Sequence, residues 1–189
     1  MAEPVSLQTL LAYLTLISVP VGVLYHIMTL RNTRKNQELQ LETRQAQLFM
    51  QIYQEMSSPE HYKESNELLT MEWEDFDDYY RKYGSENNPE AYALRSSMWY
   101  RLNGVGLLVK AGLIDVDRVY DLMSETILWQ WEKWGDIIIR IREQFNVPGY
   151  MDGFEFIADE MVKGRVSRGY SADVPESFGR YVPKEKEGT

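Results

Sequence analysis

Residues 88–145 read NPEAYALRSSMWYRLNGVGLLVKAGLIDVDRVYDLMSETILWQWEKWGDIIIRIREQF, and this stretch decides the fold class. Asn88-Pro89-Glu90 is a helix-start signal. The Asn side chain can accept from the first free N–H groups, proline loses nothing at the first helical position, and an acid suits the positive end of the helix dipole. From Tyr92 the apolar positions Met98, Trp99, Leu102, Val105 and Val109 recur with a period near 3.6, so the expected helix runs from Glu90 to Ala111 and stops at Gly112. Asp115 caps the next helix, Val116 to about Phe145, whose stripe includes Val119, Met123, Ile127, Trp131, Trp134, Ile138 and Ile141. The connection Gly112-Leu113-Ile114-Asp115 is short, which favours antiparallel neighbours. No alternating, β-branched run bounded by turns occurs in the chain, so the soluble part is read as an all-α bundle.

Outward from this hairpin the punctuation continues. Pro148-Gly149 ends the second helix, and a last short helix is expected from about Gly153 to Lys163. After it the glycines, prolines and mixed charges of 165–189 read as a flexible tail. On the other side, Asp75 caps a short helix ending at Gly84, and Ser58-Pro59-Glu60 opens another. Between Gly22 and Pro59 there is neither glycine nor proline, and 31–56 is rich in Gln, Glu, Arg and Leu, all good helix formers. One helix is therefore expected to about Ser57. Leu41, Leu48, Ile52 and Met56 lie at near-heptad spacing, with Gln45 in the missing place. Leu41, Leu48 and Ile52 are a candidate dimer seam; docking on the domain's own core is favoured over it, because the heptads are few.

The beginning of the chain is different in kind. No charged residue lies between Pro4 and Leu30. A helix needs about 20 mostly apolar residues to cross a bilayer core of roughly 30 Å. Gln8, Thr9, Thr15, Ser18 and His26 are expected to bond back to the helix or to sit near its ends, and Pro20 is tolerated in a membrane helix. A secretory signal peptide fits less well: Met-Ala-Glu-Pro carries no basic side chain, the apolar run is too long, and no small-x-small cleavage site follows. Arg31, Arg34 and Lys35 follow the span while Glu3 precedes it, so the positive-inside rule places the N-terminus outside and the C-terminal domain in the cytoplasm. The organisation read from sequence is a transmembrane anchor over 1–30, a juxtamembrane helix over 31–57, a soluble helical domain over 58–164, and the tail.

Composition sets limits on chemistry. The 189 residues carry a net charge of -9, no cysteine and two histidines, His26 and His61. Residues 1–35 and 163–189 each carry +2, which leaves -13 on residues 36–162. Duplex nucleic acid is therefore a poor partner for the domain. Thiol catalysis and sulfur-ligated zinc are excluded. Glu72, Glu74, Asp75, Asp77 and Asp78 lie close enough to hold a hard cation, but an EF-hand loop would need a glycine at its sixth place and a glutamate at its twelfth. The preferred reading is a solvated, capped helix start with Trp73 and Phe76 turned inward. Glu155 and Asp159 share a helix face, yet no Glu-x-x-His pair supports a di-metal carboxylate site. No catalytic, cofactor-binding or metal residue is assigned. Trp131 and Trp134 share a face and read as core; Trp129 points elsewhere and is a candidate surface residue, with Arg140 and Arg142 placed to clamp an anion or to pair with nearby acids. Gly104 and Gly106, inside a helix, each cost about 1 kcal/mol relative to Ala. Close packing of a neighbouring helix, or a bound group near the backbone, would explain them.

The stretch from Trp99 to Ser124, with its Gly-Leu-Ile-Asp turn, and the following Ile127-Leu-Trp-Gln-Trp-Glu-Lys-Trp134 resemble a prokaryotic family of unknown function. Its members pair an N-terminal membrane helix with a small helical domain, and the resemblance covers roughly residues 20 to 165. It implies a membrane-anchored helical domain and no activity. The expected role is interaction, as a scaffold or an accessory subunit, with the bilayer and a protein partner or a second copy as partners and no cofactor. The alternatives are a transmembrane signalling element dimerising through the juxtamembrane helix, and a metal-binding or enzymatic domain.

Overall fold

The computed structural model describes residues 6–173. They form six helices and no strand: α1 (Leu7–Met56), α2 (Pro59–Leu69), α3 (Phe76–Tyr83), α4 (Pro89–Lys110), α5 (Val116–Phe145) and α6 (Asp152–Ser167). The chain divides into two units, residues 1–47 and 48–189.

In the first unit α1 passes through Pro20 without a break. It is the one helix among the described residues long and apolar enough to cross a membrane. Its polar side chains bond to their own backbone: the Thr15 hydroxyl donates to the Leu11 carbonyl at 2.8 Å, Ser18 to Thr15, and Thr29 to Tyr25.

In the second unit the capping signals act as their chemistry requires. Ser58 accepts from the His61 N–H, Asp75 from Asp78, Asn88 from Ala91, and Asp115 from Asp117 and Arg118. The apolar stripes meet in one core holding Trp99, Trp134, Tyr79, Phe154, Leu68 and Met98, with Phe49 and Met56 from the end of α1. Polar side chains stitch α5 to the α2 region: Gln130 donates to the Ser65 hydroxyl at 2.9 Å, and Lys133 to the Met71 carbonyl at 2.5 Å.

Three features differ from the sequence reading. First, α4 and α5 meet through the rings of Trp99 and Trp134, 5.6 Å between centroids, while the close backbone approaches are those of α6 with each of them. Large rings hold the hairpin apart; small residues admit α6. A Cβ on Gly106 would come within 2.5 Å of the Gly153 carbonyl carbon, so the second glycine of Asn103-Gly-Val-Gly is required by close helix packing. A Cβ on Gly104 would meet nothing within 4 Å.

Second, α5 ends at Phe145 as expected, but the residue that closes it is Asn146, in the left-handed region at φ 52°, before the Pro-Gly pair is reached. Asn tolerates this conformation better than most residues. Third, α6 runs past Lys163 to Ser167. Gly164 does not stop the helix; it makes room for the Tyr120 ring, whose Cδ2 a Cβ would approach to 2.5 Å. Arg168 then lies over that ring at 3.9 Å and pairs with Asp117 and Asp121 of α5. Of the segment read as a tail, 174–189 lies outside the described residues, as do residues 1–5.

Candidate functional site

α6 begins without a cap of its own. Met151 occupies its N-cap position in the left-handed region at φ 61° and offers no side-chain acceptor. The acceptor comes from α4: Asn103 Oδ1 takes the N–H of Gly153 at 2.9 Å and of Phe154 at 3.3 Å. The polar residue beside the two glycines is therefore a cap supplied across the helix crossing. The close approach at this crossing answers the cost that Gly106 raises, and nothing in the structure explains Gly104.

Between the 73–77 segment and the C-terminal half of α5 lies a cleft of about 690 Å³. Its walls carry Glu74, Asp75, Asp77, Glu132, Asp136 and Glu143, against Lys133 and Arg140. Two acids of the sequence cluster are used within the fold. Asp75 caps α3; Asp78 pairs with Arg81 and Lys82 and accepts the Glu74 N–H at 3.0 Å. Lys82, then the Glu74 N–H, hold the Asp78 carboxyl down to about 2. Asp78 is thus a buried, paired residue and not part of a solvated face. Trp73 is buried and Phe76 packs on the core, as their positions require. Among the described residues no group of three or more His, Asp or Glu side chains could hold a metal ion.

Lys133 sits on the wall of this cleft, 4% exposed, with its ammonium 4.3 Å from the Trp73 ring centroid. Burial lowers its pKa to about 8. From Trp73 an aromatic series runs inward: Trp73 stacks on Trp134 at 4.8 Å, and Trp134 meets Trp99 edge-on at 5.6 Å. Arg95 lies at the far end, 4.4 Å from the Trp99 ring centroid, 4.7 Å from Tyr92 and 5.6 Å from Tyr79. The series has a buried cation at each end.

Arg95 is 4% exposed, and burial brings its pKa down to about 10. Cation–π contacts return about 0.5–2 kcal/mol each. A buried donor left without an acceptor costs about 1–3 kcal/mol, more when charged. Arg95 Nε, Trp99 Nε1 and Tyr79 Oη are such donors. Tyr150 stands beside them: burial raises its pKa, and the charge of Arg95 opposes that rise.

The candidate surface residues scatter. Trp129 is half-buried, and Arg140 is exposed at the cleft, 3.5 Å from Glu143. Arg142 is tied inward: its Nε donates to the Tyr150 carbonyl at 2.7 Å, and its other nitrogens face Glu155 at 2.6 Å and Asp152 at 3.4 Å. It braces α5 against α6. Of the candidate seam, Leu41 is exposed, Leu48 half-buried, and Ile52 packs on the core of its own chain. His61 is buried, with Nδ1 3.1 Å from Arg101, which also pairs with Glu55 and Glu64.

Arg95 and Lys133 were not singled out from sequence, although a signal exists. Arg95 lies four residues before Trp99 and seven before Leu102, on the apolar stripe of α4; Lys133 lies four before Ile137 on a buried face of α5. A cation on an apolar stripe is buried unless the stripe ends there.

The family described as Domain of unknown function (DUF4760) matches residues 12–161, and the chain belongs to it. Neither the curated proteins nor the solved structures hold a match to the chain.

Proposed function

We propose, taking membership of this family of unknown function as the premise, that the chain is a single-pass membrane protein with an acidic helical interaction domain on the cytoplasmic side. The observation that carries the reading is the surface of α1. Fifteen large apolar side chains from Leu7 to Leu30 are exposed, Leu7, Leu16 and Tyr25 among them by more than two thirds. Burying each is worth about 1.5–3 kcal/mol, so together they amount to tens of kcal/mol, beyond the whole stability of an ordinary domain. A bilayer removes that cost. Hydroxyls bonded to their own helix and the absence of charge from 5 to 30 suit the same environment. Arg31, Arg34 and Lys35 support the orientation. The role as scaffold or accessory subunit draws on the acidic cleft, whose surplus of carboxylates suits a basic segment of a partner.

The test is fractionation of the full chain beside a deletion of residues 1–30. The full chain is expected in the carbonate-resistant membrane pellet and the deletion in the supernatant after a salt wash. A deletion that still pellets refutes the anchor. Protease protection of a C-terminal tag in sealed vesicles decides the orientation, and mass spectrometry of what co-elutes in mild detergent decides whether a stoichiometric partner exists. A second reading, signalling through paired juxtamembrane helices, draws on the exposure of Leu39 and Leu41. Leu41→Glu is then expected to abolish cross-linking between copies, and unchanged cross-linking removes that reading.

A further inference from the structure

Arg101, Arg142 and Arg168 show how this domain accommodates a guanidinium. Arg101 takes Glu55 and Glu64, Arg142 takes Asp152 and Glu155, and Arg168 takes Asp117 and Asp121. Each has a side chain 14–33% exposed. Arg95 is buried more deeply, at 4%, and takes no carboxylate among the described residues. Acids are not scarce, since residues 36–162 carry -13. Among the described residues, the most deeply buried arginine of the four is the one without a carboxylate partner.

Its neighbours add donors rather than acceptors. Trp99 Nε1 can only donate, Tyr79 Oη can donate, and both are buried without a hydrogen-bond partner, like Arg95 Nε itself. The three side chains are in contact, with Arg95 Cζ 4.4 Å from the Trp99 ring centroid and 5.6 Å from that of Tyr79. A site for a cation would present acceptors, and a site for an apolar group would leave no polar atom unpaired. One charge with neutral donors selects an anion. Tyr92, 4.7 Å from the guanidinium and 40% exposed, and the half-buried Tyr150 give this cluster an edge toward solvent.

We propose that Arg95, with the Trp99 indole N–H and the Tyr79 hydroxyl beside it, binds a small oxyanion, a phosphate or carboxylate group. A guanidinium presents parallel N–H bonds that match two oxygens of such a group. The surrounding rings lower the local dielectric, which strengthens a charge-assisted bond. The site is separate from the acidic cleft, whose six carboxylates repel the same ligand.

The experiment is thermal unfolding of the full chain in a non-ionic detergent at pH 7.5, with inorganic phosphate, acetate or succinate exchanged for chloride at constant ionic strength. Arg95→Met is run in parallel. The expected result is a saturable rise in Tm, roughly 5–10 °C at a hundredfold excess over Kd, that Arg95→Met abolishes. A response to phosphate alone assigns a phosphate ligand; a response to acetate or succinate alone assigns a carboxylate. A rise that grows without saturation, or that is equal in Arg95→Met, reflects exclusion of the salt from the surface and overturns the proposal. No rise with any anion overturns it too. Should Arg95→Met fail to fold, the Arg95 Nε–H resonance of the natural chain decides. A saturable shift on titration supports the site, and an unmoved resonance removes it.

Discussion

Gly106→Ala and Gly104→Ala form a matched pair two residues apart on one helix, and their effects are expected to have opposite signs. At Gly106 the added Cβ lies 2.5 Å from the Gly153 carbonyl carbon, where an ordinary contact needs at least 3.4 Å. Relief requires α4 and α6 to part by more than the 0.9 Å this carbon asks for, because the Gly153 carbonyl oxygen lies closer still, both partners are backbone and neither can rotate away. Overpacking of a core costs about 1–3 kcal/mol, and a contact on rigid backbone belongs at the upper end. The same movement draws the Gly153 and Phe154 N–H groups off Asn103, a cap worth about 0.5–2 kcal/mol. Against this stands the gain of about 1 kcal/mol that alanine brings to a helix interior. The net loss is about 2–4 kcal/mol, or about 6–15 °C in Tm for a domain of this size. Gly104→Ala meets nothing within 4 Å and keeps the helical gain, so its Tm rises by a few degrees. Near-UV circular dichroism of the full chain in detergent reads the transition, since the buried tryptophans report the core and not the anchor helix. Shifts of the same sign, or a Gly106→Ala Tm within a degree or two of the parent, would refute the close crossing of α4 and α6.

Other outcomes follow from the same structure. Asn103→Ala is expected to cost about 0.5–2 kcal/mol in chemical unfolding, whereas Asn103→Asp keeps an acceptor at the α6 N-terminus and stays near the parent. Arg142→Ala removes Glu155 and the Tyr150 carbonyl as partners and is expected to cost about 1–3 kcal/mol; salt titration of the loss separates charge from packing. Burial first, and then Arg101, hold the His61 pKa below 6.5, with Glu64 and Glu55 opposing. The unfolded chain therefore binds a proton that the folded domain refuses. Stability is full above pH 6.5 and falls as the pH drops below it, and His61→Asn should flatten that fall in Tm measured between pH 8 and pH 5. Asp78 acts further down: its contribution is complete above its ordinary value of 3.8 and is lost as the pH falls through about 2, so Asp78→Asn should flatten the acid limb there.

The sequence by itself determined the helices, their starts and the apolar span. Those signals are local. A cap is read from residues three apart, as Ser58 with His61 or Asp75 with Asp78 shows, and a span needs only an uncharged run. The tertiary structure decided what the long-range contacts decide. Asn103 caps a helix 50 residues away, and Gly106 is fixed by a carbonyl 47 residues on; a glycine inside a helix signals close packing, but neither residue names its distant partner. Gly164 reads as a stop in sequence and is instead a seat for Tyr120, because glycine serves chain reversal and close approach alike. Arg95 and Lys133 stand on apolar stripes, which signals burial, but only the assembled core decides what surrounds them. The pairing of an arginine depends on which carboxylates the other helices bring near it, and around Arg95 they bring rings.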